Sequence, residues 1–70
     1  SLTVTGRITK IAQAVVDGNS HYYLMLEGQE DIFDVSLADH LDIIRFEVGD
    51  EVTLGCEDGY EGVRTVLSVK

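Results

Sequence analysis

The sequence predicts a small all-β domain of five strands, with one short helix between the third and fourth strands. Three observations support this prediction. Apolar and polar residues alternate along most of the chain, which is the side-chain period of a half-buried strand. Turn sequences containing glycine separate the alternating segments. The phase of the alternation also changes within the first segment, as the bent strand of a small barrel requires.

The first segment, Leu2 to Val16, predicts a long strand with an irregularity in its middle. Val4 and Ile8 lie on one face of the alternation, but Ile11 continues the apolar set at the opposite parity. Successive side chains of a strand point to opposite faces, so a bulge or a sharp bend must separate Ile8 from Ile11. Gly6 lies in the same segment and is compatible with such a bend.

Two turns divide the next part of the chain into a second and a third strand. Residues 17–20 read Asp-Gly-Asn-Ser, a hairpin sequence, and in the segment that follows Leu24 and Leu26 share one face with Tyr22. A turn at 28–31 precedes a third alternating segment, 33–37. The first three strands are therefore expected to form an antiparallel meander.

A helix is predicted from Leu37 to Arg45. Ser36 and Asp39 have the spacing of a capping box, with Asp in the position of the usual Glu. Apolar residues then recur at spacings of four and three: Leu37, Leu41 and Ile44. Two helical turns are too few to persist alone, so we expect this face to pack on an open end of the barrel.

The fourth and fifth strands are predicted at Val52 to Cys56 and at Val63 to Val69. Val52, Leu54 and Cys56 share the core-facing side of the fourth strand. On the fifth strand, Thr65, Leu67 and Val69 share one face. The acidic loop 57–62 joins the two strands and carries Tyr60.

The order of three strands, a short helix and two strands resembles the OB-fold (oligonucleotide/oligosaccharide-binding fold), a five-stranded Greek-key barrel. The resemblance covers nearly all of residues 1–70 and is one of topology, similar to the small OB modules of tRNA-binding and replication proteins. The residues that carry it are the Thr-Gly-Arg-Ile sequence at 5–8, the strand at 22–26, Gly49-Asp50-x-Val52 and Val66-x-x-Val69. An SH3-like barrel is the alternative, since it also uses Gly-Asp-x-Val before a strand, but it usually lacks a helix at this point.

The ends of the chain suggest that it is part of a longer protein. It begins with Ser1, its only methionine is Met25, and a strand sequence runs to its last residues. We therefore interpret residues 1–70 as a single domain excised from a larger protein. No apolar segment approaches the roughly 20 residues that a bilayer-spanning helix needs, so direct membrane insertion is not expected. The single cysteine, Cys56, is consistent with a reducing, cytoplasmic compartment.

The sequence does not predict an enzyme. Cys56 lies at a core-facing position, His21 and His40 are expected to be solvated, and no nucleophile has an adjacent base. A barrel of five short strands is filled by its own side chains and has little room for a substrate pocket.

No metal or cofactor is predicted either. Asp39 and Asp42 would share a helical face that His40 does not join. The loop 57–61 is interpreted as a solvated turn in preference to a weak calcium site.

The candidate binding residues follow from the facing of the second strand. If Leu24 and Leu26 point inward, Tyr23 and Met25 point outward. Ile32 is out of phase with the apolar set of the third strand and is expected beside them. In OB-folds the face of strands two and three, flanked by the first and fourth loops, binds the ligand. The resemblance thus implies a binding face with these members: Tyr23, Met25, Ile32, Tyr60 and Arg64, with Arg7 as an alternative at its edge.

We hypothesise that the chain is a binding module that contacts another protein, or a neighbouring domain of its parent chain, through this face. The alternative is a single-stranded nucleic-acid-binding OB domain whose tyrosines stack on bases. The net charge of −8 disfavours nucleic acid and anionic lipid, because both are bound largely through cationic side chains.

Overall fold

The computed structural model describes all residues from Ser1 to Lys70. It contains five strands and one 3₁₀ helix, η1, between the third and fourth strands: β1 (Leu2–Val16), β2 (Asn19–Leu26), β3 (Ile32–Ser36), η1 (Leu41–Arg45), β4 (Glu51–Cys56) and β5 (Val63–Val69). The prediction of an all-β chain with five strands is confirmed. No helix of the structure is long and apolar enough to cross a bilayer.

The five strands form a closed ring in the order β1-β2-β3-β5-β4, and β4 returns to pair with β1. The β3–β5 pair is parallel, and the other four pairs are antiparallel. The sequence β4-β1-β2-β3 around the ring is the Greek-key order, in which the fourth strand lies beside the first. The two halves of β1 have different partners: residues 2–7 pair with β4, and residues 8–16 pair with β2.

The irregularity predicted in β1 is a bulge. Ile8 pairs with Leu26 and Lys10 pairs with Met25, so Thr9 has no partner of its own on β2. The extra residue reverses the parity of everything after it, which lets Ile11 pack against the core as Ile8 does.

A second bulge, in β5, makes the predicted facing of that strand wrong. Gly55 pairs with Ser68 and Cys56 pairs with Val66, so Leu67 is the extra residue. Val66 is therefore buried, and Val69 packs against the core, while Leu67 is exposed. The spacing of three between the two valines reflects this bulge, which simple alternation does not anticipate.

The predicted helix from Leu37 to Arg45 is wrong in type, length and facing. The Leu37 N–H donates to the Ser20 carbonyl at 3.0 Å, which prolongs the β2–β3 ladder past the predicted cap. Residues 37–39 then form a turn, and η1 begins only at Leu41, with no side-chain cap. A 3₁₀ helix has three residues per turn, and here it buries Ile43 while Leu41 and Ile44 remain exposed.

The core fills the inside of the ring and contains no buried polar or charged side chain. Phe33 on β3 is its largest fully buried member. The buried residues come from every element: Val4, Ile8, Leu24, Leu26, Phe33, Val35, Ile43, Val52, Leu54, Cys56 and Val66. The core-facing positions predicted on β2 and β4 are among them.

Candidate functional site

The outer face of β2 and β3 is defined by the pairing of these strands. Leu24 pairs with Phe33, and both side chains are completely buried. Their sequence neighbours must therefore point away from the core, since side chains alternate along a strand. Met25 is 37% exposed and Ile32 is 36% exposed. Continuing the β2–β3 pairing one residue beyond Leu24 and Phe33 sets Met25 opposite Ile32.

The same register joins four strands into one cross-strand row. Lys10 on β1 pairs with Met25, Ile32 pairs with Val63 on β5, and Val63 forms a bridge with Tyr60. We call Met25, Ile32, Val63 and Tyr60 the apolar row. Its last member, Tyr60, is 77% exposed and lies in the loop between β4 and β5.

Tyr60 is held at the end of the row by a tight turn. The N–H of Tyr60 donates to the Val63 carbonyl at 2.9 Å, and the N–H of Val63 donates to the Tyr60 carbonyl at 3.0 Å. The two residues between them, Glu61 and Gly62, have φ angles of 51° and 82°. Positive φ at both central positions is the type I′ turn, which closes two-residue hairpin loops.

A second group on the same outer face consists of His21, Tyr23 and Asp34. His21 Nδ1 lies 2.6 Å from Asp34 Oδ1. The rings of His21 and Tyr23 stack with their centroids 5.9 Å apart and 10° between their planes. Tyr23 is consequently half-buried, whereas the tyrosine at position 60 is free.

His21 is predicted from the sequence to be solvated, but in the structure it contacts Asp34 and Tyr23. Tyr23 pairs with Asp34 and His21 pairs with Ser36, so His21 and Asp34 are diagonal neighbours on one face. This contact can be recognised only when the register of β2 and β3 is known, because the two residues are far apart in the chain.

Arg64 lies at the end of the ring, away from the side chains of Tyr23 and Met25. It pairs with Phe33 on β3, so it shares the core-facing parity of the buried Val66. Its Nε donates to Asp31 Oδ2 at 2.6 Å, and its Nη1 donates to the Glu57 carbonyl at 3.1 Å. The guanidinium thus joins the β2–β3 loop to the loop that carries Tyr60, and its contribution to the face is to position that loop.

The other arginines are also paired with carboxylates. Arg7 bonds Glu27 across β1 and β2, and Arg45 lies 3.6 Å from Asp42. Lys10 and Lys70 are the only lysines, and neither forms an ion pair. Lys10 is therefore the one unpaired cationic side chain in line with the apolar row.

The chemistry of Cys56 is limited by its burial. Burial raises the pKa of this thiol above its ordinary value of 9.0, and its Sγ lies 3.6 Å from the Leu2 carbonyl. A thiol of this kind is protonated at neutral pH and is a poor nucleophile.

One depression of about 310 Å³ lies away from the apolar row, between the β3–η1 segment and Val69. It contains His40, Asp39 and Asp42, but no three metal-binding side chains of the structure come together. The acidic loop 57–61 brings no such group together either.

Comparisons with protein-family models, with curated proteins and with solved structures find no match to this chain.

Proposed function

We propose that this chain is an OB-type barrel module that binds another protein, or a neighbouring domain of its parent chain, through the outer face of β2 and β3. The Greek-key strand order and the bulge in β1 support the OB-type assignment. The observation that carries the proposed function is the apolar row on that face.

A row of apolar side chains differs from a single exposed one. Isolated apolar residues are common on protein surfaces and need no explanation. Here Met25, Ile32 and Tyr60 are exposed and lie in register with Val63 across neighbouring strands. Contiguous apolar surface of this kind marks interaction sites, and aromatic residues and methionine are enriched in the cores of protein interfaces.

The charges around the row favour a protein over nucleic acid. Nucleic-acid affinity depends on free cations that neutralise phosphates. All three arginines bond carboxylates or lie beside them, in a chain of net charge −8. A partner with a matching apolar patch and a basic rim would meet no such barrier.

Single-stranded nucleic acid remains the second candidate, because Tyr60 offers an exposed ring at one end of the apolar row and the unpaired Lys10 lies at the other end. Titration with a short fluorescent oligonucleotide at low salt tests it. Binding that weakens steeply with salt and is lost in Tyr60→Ala would establish this candidate over the protein contact. Absence of binding at micromolar concentration is the result that we expect.

Site-specific photocrosslinking in cells tests the protein contact. A photoreactive amino acid is placed at Ile32 in the apolar row, and in a matched control at Thr5, which is exposed on the outer face of β1 and β4. We expect one protein, or one segment of the parent chain, to be crosslinked from position 32 and not from position 5. Equal crosslinking from both positions, or none from position 32, would contradict the proposal.

A further inference from the structure

The second half of β1 has one edge without a neighbour. Residues 2–7 pair with β4, and the last backbone bonds on that side connect Ile8 with Gly49 and Asp50. From Lys10 to Val16 the strand pairs only with β2. The β1–β2 hairpin therefore extends beyond the ring and leaves the other edge of β1 open.

The turn at the tip determines which backbone groups face this open edge. Asp17 and Gly18 have φ angles of 50° and 79°, which define a type I′ turn. The flanking residues Val16 and Asn19 then form a hydrogen-bonded pair, and such pairs alternate along an antiparallel ladder. The N–H and C=O groups of alternate residues are consequently directed away from β2: Ile11, Gln13 and Val15.

Residues 11–16 of the open edge lack the features that usually protect edges from pairing. Exposed edge strands commonly carry charged side chains, proline or bulges. Residues 11–16 read Ile-Ala-Gln-Ala-Val-Val, with no charge, proline or glycine, and Val15 is 69% exposed. This uncharged segment stands out in a chain of net charge −8.

We infer that this edge pairs with the same edge of a second copy of the chain, antiparallel and related by a twofold axis at Gln13. In that register Gln13 lies opposite Gln13 of the second copy, and Ile11 lies opposite its Val15. All the outward-directed backbone groups of the edge are then paired. Other registers of the same parity leave some of them without partners.

Charge favours a second copy as the occupant. Lys10 and Asp17 bound the uncharged segment and have opposite signs. Antiparallel self-pairing sets Lys10 opposite Val16 of the second copy and next to its Asp17, at both ends of the paired segment. The remaining charge of each copy opposes association over longer distances, and salt screens that repulsion. The dimer is therefore expected to strengthen as ionic strength rises.

Sedimentation velocity over a concentration series, at low and high salt, tests the pairing. We expect a dimer whose dissociation constant falls with added salt. Gln13→Pro should abolish it, because proline removes an N–H that has no partner inside the fold and places a ring on the edge. Leu67→Lys, at an exposed site on β5 away from this edge, is the matched control and should leave the dimer intact.

A disulfide test fixes the register. Gln13→Cys should crosslink two copies under oxidising conditions, because the twofold axis brings position 13 next to itself. Val16→Cys should not, since the two copies of that residue are about 20 Å apart in this register.

The inference is overturned by a chain that stays monomeric at millimolar concentration in high salt, which would leave the edge to a strand of a different protein. A dimer that survives Gln13→Pro, or one lost in Ile32→Lys, would also overturn it.

Discussion

The ring has two antiparallel outer walls, and only one of them carries exposed apolar side chains at its outward positions. On the β1–β4 wall the outward positions are polar or glycine, and Thr5 hydrogen-bonds Thr53 across the strands at 2.9 Å. On the β2–β3 wall the outward positions include Tyr23, Met25 and Ile32. Both walls cover the same core, so the fold itself does not require apolar side chains on its outside. The apolar row is a property of one wall and calls for a reason other than stability.

The same contrast exists within β1. Its 2–7 half pairs with β4, whereas its 10–16 half pairs only with β2. The first half alternates in the ordinary way, with polar threonines outside. The second half carries Val15 and Val16 exposed near the hairpin tip.

The largest loss of stability should come from truncating a core-facing side chain of β2, and a much smaller loss from truncating its outward-facing neighbour. Leu24→Ala removes a fully buried side chain and should lower the free energy of unfolding by about 2–5 kcal/mol. Tyr23→Ala, one residue away on the outer wall, should cost clearly less, since this side chain is only half-buried and stacks on His21. Urea denaturation of both variants measures the difference. The reverse ranking would mean that the facing of β2 is wrong.

A smaller loss of stability is expected at the end of the ring. Arg64→Ala breaks a part-buried pair with Asp31 and should lower the free energy of unfolding by about 1–3 kcal/mol. Arg45→Ala is the matched control, because its contact with Asp42 is exposed and should contribute little. A double-mutant cycle of Arg64 and Asp31, measured by chemical denaturation, isolates the pair. Equal losses of unfolding free energy for the two arginine variants would contradict the proposal that Arg64 stabilises the fold by joining the two loops.

A pH-dependent effect distinguishes the core from both walls. The pKa of Cys56 is raised above 9.0 in the folded chain, so the unfolded chain releases this proton first as pH rises. The contribution of Cys56 to stability is therefore intact below about pH 9 and declines above it. Denaturation is measured between pH 8 and 10.5, roughly the range of thiol ionisation. The free energy of unfolding should decline less with rising pH in Cys56→Ala than in the unsubstituted chain. Parallel declines would contradict the burial of the thiol.

The smallest effect on stability should come from making one wall resemble the other. Ile32→Thr replaces one apolar side chain of the β2–β3 wall with the residue type found on the β1–β4 wall, and should change the free energy of unfolding by no more than about 0.5 kcal/mol. Crosslinking from a photoreactive group at Tyr60 should nevertheless fall in this variant. A stability loss as large as that of Leu24→Ala would show that Ile32 is structural and not part of a contact surface.

Much of this fold was predictable because it depends on alternation. The facing of β2 and β4 and the bulge after Ile8 follow from the positions of apolar residues alone. The bulge at Leu67 did not, because Thr65, Leu67 and Val69 form an equally regular set. The helix prediction failed because a local capping pattern at Ser36 competes with the β2–β3 ladder, which continues to Leu37.

The candidate face was predictable only in part. The outward facing of Met25 follows from parity, but its alignment with Ile32, Val63 and Tyr60 depends on the register of two strand pairs and on the bridge between Val63 and Tyr60. The contact between His21 and Asp34 and the bond from Arg64 to Asp31 depend on the same long-range pairing. No local sequence pattern encodes these distances.

Met25 is the chain's only methionine, and it allows the most direct test of the contact surface. Oxidation to the sulfoxide by dilute peroxide can be followed by mass spectrometry in the purified chain and in the protein as it occurs in cell extract. If the β2–β3 wall is covered by a partner, Met25 will oxidise readily in the purified chain and slowly in the extract. Equal oxidation rates in the two samples would mean that this wall is open in the cell, and the proposed contact would be wrong.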